Sequence, residues 1–357
     1  MQEKMNSHRW LLIFSLSVFL LMLVFTLMTY VMDPYFQFRV KDNYYLIDAQ
    51  HVNPGLIKNY DYDTLIIGSS MVQNFNMDLF RQELHVKPLH VTLGGMTPRE
   101  LLELFNLATK VNKSRAYYIC VDLPVFTYDD YTKHQTSQYL LKDDSLSVLQ
   151  YLFNYESWVN ILPFRLYHNL LKIFSLKPAP LLTFLTSIDY LENWAWRYDF
   201  GEEIVLKNYS NNLYALSSVR VENLYSQMTQ NMESFLNSIE QINHSNRDIY
   251  FFFPPYSSLF WYSAKDYRDT YLAAKRYFIE QACSLGFTVY DFQSAEFTSD
   301  LNYYKDSTHY SPEINDWMTH CFAENKYRVT PQQCEAYHTK LMQNLLYFEN
   351  KYAPYLR

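Results

Sequence analysis

Thr64-Leu65-Ile66-Ile67-Gly68-Ser69-Ser70 is the stretch that decides the reading of this 357-residue chain. Its apolar residues have the character of a buried strand, and the glycine and two serines are where such a strand turns into a helix. Glycine is scarce, six in the whole chain, against a usual share of roughly 7%. Each glycine therefore marks a backbone requirement, and three of the six, Gly68, Gly94 and Gly95, end apolar runs.

Working outward, strand-length apolar runs alternate with helical patterns. Tyr62 to Ile67 reads as a first strand, and a helix follows around Met77 to Leu84. Leu89 to Leu93 is a second strand, closed by Gly94-Gly95. Thr97-Pro98-Arg99-Glu100 then starts a helix, with Thr97 as N-cap, Pro98 at the first helical position and Glu100 closing a capping box. Leu101, Leu104, Phe105 and Leu107 supply its buried stripe. Tyr117 to Leu123 is a third strand stopped by Pro124, and Ile249 to Phe253 a fourth stopped by Pro254-Pro255. A helix from Tyr267 to Leu285 ends at Gly286, and Phe287 to Phe292 is the fifth strand. This alternation predicts an α/β fold: a parallel sheet with helices on both faces and right-handed crossovers.

About 120 residues between the third and fourth strands break the rhythm. Tyr151 to Phe174 is dense in apolar and aromatic residues at helical spacing, and Trp194 and Trp196 follow. A structureless loop of that length is improbable in a compact domain, so 125–247 reads as a helical insertion. Two roles stand open for it: completing the core, or forming a lid over the strand ends or a surface that touches a membrane.

The N-terminus has its own chemistry. Trp10 to Met32 is almost unbroken in apolar character, with Ser15, Ser17, Thr26 and Thr29 its few polar residues besides Tyr30. At about 1.5 Å per residue such a run crosses a hydrocarbon core of roughly 30 Å. Lys4, His8 and Arg9 precede it, which predicts that residues 1–9 stay in the cytoplasm and everything after Asp33 lies outside. A cleaved signal peptide would want a shorter run and a small-residue site, and Met28-Thr29-Tyr30-Val31-Met32-Asp33-Pro34 offers none. The expected organisation is a transmembrane anchor over 10–32, a linker over 33–59, the sheet domain over 60–320 and a helical extension over 321–357.

Composition narrows the function classes. The net charge is −7, where a nucleic-acid binder would show a basic face. No phosphate-binding Gly-rich loop, dinucleotide fingerprint or Cys-x-x-Cys pair occurs, so no cofactor and no metal is expected. Cys120 and Cys283 fall in apolar or helical patterns as buried thiols, whereas Cys321 and Cys334 lie in a polar stretch where an oxidising space would let them pair.

Three positions carry the expected chemistry. Ligands of parallel sheets bind beyond the carboxyl ends of the strands, where Ser70, Gly94-Gly95 and Asp122 all fall. Ser70 sits where a nucleophile would meet the backbone N–H groups of a first helical turn, although capping is the commonest work of a serine there. Gly94-Gly95 is either an ordinary tight turn or a place where N–H groups approach an oxyanion. Asp306 stands three residues before His309, close enough to fix its tautomer and stabilise the imidazolium. His51, His85, His90 and His168 have no comparable context.

Taken together, Gly68-Ser69-Ser70 after the first strand, the glycine loop after the second and Asp306-x-x-His309 resemble the SGNH, or GDSL, hydrolase superfamily. The resemblance implies a three-layer, flavodoxin-like sheet, Ser70 as nucleophile, His309 as base and Asp306 as its partner. It also implies an oxyanion hole built from the backbone N–H groups of Ser70, Gly94 and Gly95. The α/β-hydrolase pattern fits worse, because Gly-x-Ser-x-Gly fails at Val72. One departure matters: the superfamily's Gly-x-Asn-Asp after the third strand is here Val121-Asp122-Leu123-Pro124, and an ionised Asp cannot donate to an oxyanion. With the single N-terminal anchor, this departure resembles the extracytoplasmic branch that includes the D-alanyl transfer protein of teichoic acids and the alginate O-acetylation proteins. That branch implies acyl transfer or ester hydrolysis on an envelope glycan or teichoic acid beside a membrane-bound O-acyltransferase. A plain carbohydrate or lipid esterase and a non-catalytic scaffold subunit are the competing readings.

Overall fold

A computed structural model describes residues 7–40, 49–127, 136–161, 199–207, 223–243, 247–352 and 354–355. The chain divides into two compact units, Met1–Tyr60 with Thr136–Asp189, and Asp61–Gln135 with Tyr190–Arg357.

The first unit begins with α1, Ser7–Met32, which is long and apolar enough to cross a membrane. Its last turns are not bare. Thr29 is fully buried, and Phe25, Thr26, Met28 and Met32 are partly covered. Residues 33–59, expected as a linker, contain the packed helix α2, Ala49–Asn59, in which every residue from His51 to Ile57 is buried. A Cβ at Gly55 would overlap the Tyr35 carbonyl, so α2 seats directly against the chain leaving α1. Asp33 organises that exit: its carboxylate accepts from the amides of Gln37, Phe38 and Arg39, each at 2.9 Å.

The second unit holds a six-stranded sheet: β1 Thr64–Gly68, β2 Pro88–Thr92, β3 Ala116–Cys120, β4 Asp248–Phe253, β5 Thr288–Asp291 and β6 Arg328–Val329. Their order is β2-β1-β3-β4-β5-β6. The first five run parallel, and β6 pairs antiparallel with β5. The order 2-1-3-4-5 reverses direction at β1, which opens a crevice between the carboxyl ends of β1 and β3.

Side chains alternate across the sheet with the period of two that strands impose. On one face Phe251 and Phe253 of β4 and Tyr117 of β3 meet Phe105 of α4 (Pro98–Val111), Phe235 of α7 (Leu224–Ile242) and Phe278 of α9 (Arg268–Ser284). On the other, Tyr118, Phe252 and Tyr290 meet Phe80 of α3 (Met77–Leu84) and Phe322 of α10 (Pro312–Ala323). The short helices α6 (Glu202–Lys207) and α8 (Ser258–Ser263) lie between these elements, and the capping box of α4 forms as expected, Thr97 and Glu100 each satisfying the other's backbone.

Three differences from the sequence reading have physical causes. The third strand ends at Cys120 rather than Leu123, because Pro124 lies in the 3₁₀ turn Leu123–Thr127, where a proline near a helical start costs no hydrogen bond. The expected insertion over 125–247 includes α7, whose buried Leu224, Met228, Met232, Phe235 and Ile239 make it the crossover helix that parallel β3 and β4 require. Within the same span, 136–161 groups with the N-terminal residues. Residues 162–198, including most of the aromatic run and Trp194 and Trp196, lie outside the described residues. Finally, the C-terminal segment supplies β6 as well as α11, Cys334–Tyr352, and Cys321 and Cys334 are free buried thiols.

One buried ion pair tests the packing. Lys275 on α9 is 4% exposed and donates to Asp291 of β5 at 2.8 Å and to Gln293 at 3.2 Å. Lys275→Met strands a buried carboxylate and is expected to cost about 3–5 kcal/mol in urea unfolding, while a double change that also makes Asp291 Leu regains most of it. A loss below about 1 kcal/mol for the single variant would contradict a tightly packed pair.

Candidate active site

The carboxyl ends of β1 and β3 and the loop before α10 converge on one cluster in the second unit. β1 ends at Gly68, where the residue is glycine because a Cβ there would meet the Cβ of Cys120 on β3 at 2.5 Å. Ser69 then caps a single 3₁₀ turn, Ser70–Val72, its hydroxyl accepting from the Met71 amide at 3.4 Å. Capping thus falls to Ser69, which leaves the Ser70 hydroxyl for a different partner. Ser70 Oγ lies 2.8 Å from His309 Nε2.

His309 is held by its own loop. Tyr304 and Tyr310 form an antiparallel bridge, and the amides of Lys305 and Ser311 donate to the carbonyls of His309 and Tyr303 across it. The segment Asp306-Ser307-Thr308-His309 is the tip of that hairpin. Two further ties fix the tip. Ser257, after β4, donates from its amide and its hydroxyl to the Ser307 carbonyl, and the Tyr310 hydroxyl and Asn315 side chain donate to the Met71 carbonyl in the serine turn.

Asp306 faces the other ring nitrogen. His309 Nδ1 stands 2.8 Å from Asp306 Oδ2 and 3.0 Å from Oδ1, and Oδ1 also accepts from the amides of His309 (2.7 Å) and Thr308 (2.9 Å). Burial pushes the Asp306 carboxyl up, but the hydrogen bond and charge of His309 and the two amides outweigh it and hold it well below the usual carboxylate range. An ionised Asp306 makes Nδ1 the protonated nitrogen, so Nε2 presents its lone pair to Ser70. The sequence-expected Ser70, His309 and Asp306 are therefore brought together as a continuous hydrogen-bonded chain.

Gly94 and Gly95 lie in an exposed turn closed by Met96 N donating to Leu93 O at 3.0 Å. Gly95 has φ +65, a conformation glycine adopts without strain, and nothing lies within 4 Å of a Cβ built on either residue. The Leu93 amide donates to the Gly68 carbonyl at 3.2 Å, so the turn is tied to the end of β1 beside the serines.

Asp122 lies just beyond the end of β3, two residues after Cys120. Here both oxygens accept: Oδ2 from Ser69 Oγ at 3.0 Å and Oδ1 from the Tyr256 hydroxyl. Burial raises its carboxyl, and the hydrogen bonds from Tyr256 and Ser69 and the charge of His309 pull only part of the way back. Tyr256 and the positioning roles of Tyr310 and Asn315 escaped sequence reasoning. The one available signal was Pro254-Pro255-Tyr256, directly beyond a strand's carboxyl end.

The sign of Asp122's shift makes a prediction. A carboxyl raised in the folded state binds its proton more tightly there, so stability falls as pH climbs from about 4, the unfolded value, towards the folded one. Asp122→Asn removes that cost and keeps a side chain able to hydrogen-bond both hydroxyls. Its thermal midpoint at pH 7 is expected to equal or exceed that of the wild type, with the difference closing in acid. A marked fall at pH 7 would mean that the two hydrogen bonds outweigh burial.

Among the described residues no cluster of His, Cys, Asp and Glu is arranged to hold a metal ion. Comparison with known proteins adds no relative: no protein-family model matches the chain, and no curated protein matches its sequence.

Proposed function

We propose that the chain is a membrane-anchored SGNH-type serine enzyme that transfers or removes ester-linked acyl groups on a cell-envelope glycan or teichoic acid. The observation that carries the reading is the Ser70–His309–Asp306 chain, with 2.8 Å at each link. Capped strand-to-turn geometry, a base in the right tautomer and an ionised orienting carboxylate are the parts that nucleophilic acyl transfer needs.

In this mechanism Ser70 Oγ attacks the ester carbonyl carbon while His309 Nε2 takes the hydroxyl proton. The developing oxyanion is met by backbone N–H groups of Ser70 and of the Gly94-Gly95 turn, since Asp122 has only acceptors to offer. Collapse breaks the ester C–O bond, His309 returns the proton to the departing alkoxide, and the acyl group stays on Ser70. An acceptor hydroxyl, or water in an esterase, then gives its proton to His309 and attacks the acyl-enzyme; the acyl–Oγ bond breaks and His309 returns the proton to Ser70 Oγ. Asp306 holds the ring throughout and stabilises the imidazolium. The helix α1 would keep the enzyme at the bilayer with its soluble domain outside the cytoplasm, beside a membrane-bound O-acyltransferase that supplies the acyl group.

Cells separate the competing readings. For a transferase, deleting the gene or introducing Ser70→Ala lowers the ester-linked acyl content of the envelope polymer, and the purified protein turns over soluble nitrophenyl esters weakly. Rapid hydrolysis of soluble esters together with unchanged or raised envelope ester would make the protein an esterase. Wild-type ester content with Ser70→Ala, but not with the deletion, would make it a scaffold.

A further inference from the structure

The first unit carries a second apolar surface beside its long helix. Helix α5, Ser145–Leu152, has two faces. Ser147 and Tyr151, one turn apart, point inward and are 5% and 2% exposed. Leu146, Leu149 and Phe153, spaced i, i+3, i+7, point outward at 66%, 50% and 44% exposed. The following turn adds Tyr155 at 74% and Val159 at 49%. A helix normally keeps its second face polar, and a run of large apolar side chains left outward marks a surface with an apolar partner.

Its position selects that partner. The inward face is bound to the end of α1: the Tyr151 hydroxyl donates to Asp33 Oδ1 at 2.8 Å and accepts from the Tyr35 amide at 3.2 Å. Trp158 stacks on Phe25 of α1 at 5.4 Å, and its indole N–H is shared between Thr29 Oγ1 and the Leu152 carbonyl, both at 3.0 Å. Arg39 caps the C-terminal carbonyls of α1, donating to Val31 and Tyr30, and lies over the Tyr30 ring. These contacts tie the 145–159 segment to the last turns of α1.

Phe25 lies seven residues before Met32, about 10 Å along the helix axis. That matches the roughly 5–10 Å to which an interfacial helix sinks its apolar face. Tyr and Trp beside the stripe and an Arg at the helix end are the residues that favour a headgroup boundary. We propose that the Leu146–Leu149–Phe153 face, with Tyr155 and Val159, is immersed in the leaflet where α1 ends, so that the protein lies on the bilayer as well as crossing it. The inference rests on α1 spanning the membrane and is independent of the chemistry at Ser70.

The full chain, with the half-buried Cys283 changed to Ser, is labelled with an environment-sensitive fluorophore at Leu149→Cys, Phe153→Cys or, as the anchor control, Leu16→Cys. It is then reconstituted in phosphatidylcholine–phosphatidylglycerol vesicles. Labels at 149 and 153 are expected to be quenched about twofold or more by lipids with a nitroxide near the headgroup and little by aqueous iodide, while position 16 responds to a nitroxide deep in the acyl chain. Iodide quenching at 149 and 153 with lipid quenching at 16 would place the face in water and overturn the proposal alone. Protection from both quenchers would mean that protein covers it, which also overturns the proposal. Aqueous exposure at 16 would remove the anchor and the proposal together.

Discussion

Ser70→Ala and His309→Ala are each expected to lower covalent labelling by a fluorophosphonate by about 10³-fold or more, equivalent to about 4 kcal/mol of transition-state stabilisation. The first removes the atom that attacks phosphorus. The second leaves a serine hydroxyl whose proton has no acceptor at 2.8 Å. Neither change should unfold the chain, since both side chains are only partly buried and neither fills the core. The fold readout is the thermal midpoint, expected within the range of ordinary surface changes, about 0.5 kcal/mol. The two losses should not add in the double variant, because the residues act as one unit. Labelling of Ser70→Ala at the wild-type rate would remove Ser70 from the chemistry and make Ser69 the residue to test.

Asp306→Asn is expected to slow labelling by about 10³ to 10⁴-fold, close to the loss from removing the base. The size follows from geometry. Asp306 Oδ1 accepts two backbone amides, so an Asn would keep its oxygen there and turn its NH₂ towards His309 Nδ1. A donor facing Nδ1 forces the proton onto Nε2, and a protonated Nε2 cannot accept from Ser70. The same variant should lose a pH signature. Because the folded Asp306 carboxyl is depressed, it stabilises the fold above its unfolded value of about 4, and that stability drains as pH falls towards the folded value. Acid unfolding of Asp306→Asn should therefore lack this component. Labelling within about tenfold of wild type would show that Asp306 only supports the hairpin.

Much of this arrangement was legible in the sequence because it rests on local signals. Scarce glycines marked Gly68 and the Gly94-Gly95 turn, Thr97-Pro98-Arg99-Glu100 announced α4, and the spacing of Asp306 and His309 is short enough to read without a structure. Long-range features were not legible. Sequence pattern did not assign capping to Ser69 rather than Ser70, since the partner of the Ser70 hydroxyl, His309, is 239 residues away. Helix α7 disappeared into the expected insertion because its period resembles that of any core helix, and only its contacts with Phe251 identify it as a crossover. The two-residue β6 carries too few residues for any alternation. Residues 33–59, expected as a linker, instead hold Pro54 and Gly55 buried within α2.

Asp122 illustrates a different kind of illegibility. In sequence it is simply a missing donor. In the fold it accepts from Ser69 and Tyr256 behind the serine turn. Asp122 thus holds the serine turn from behind, and in the proposed mechanism the backbone groups at Ser70 and Gly94-Gly95 receive the oxyanion.

The most direct measurement is mass spectrometry of the purified full-length protein after reaction with a fluorophosphonate, at the intact level and after proteolysis. The account predicts one adduct per chain, mapped to Ser70 and absent when the protein is first denatured. No adduct, or a single adduct on any residue other than Ser70, would contradict it.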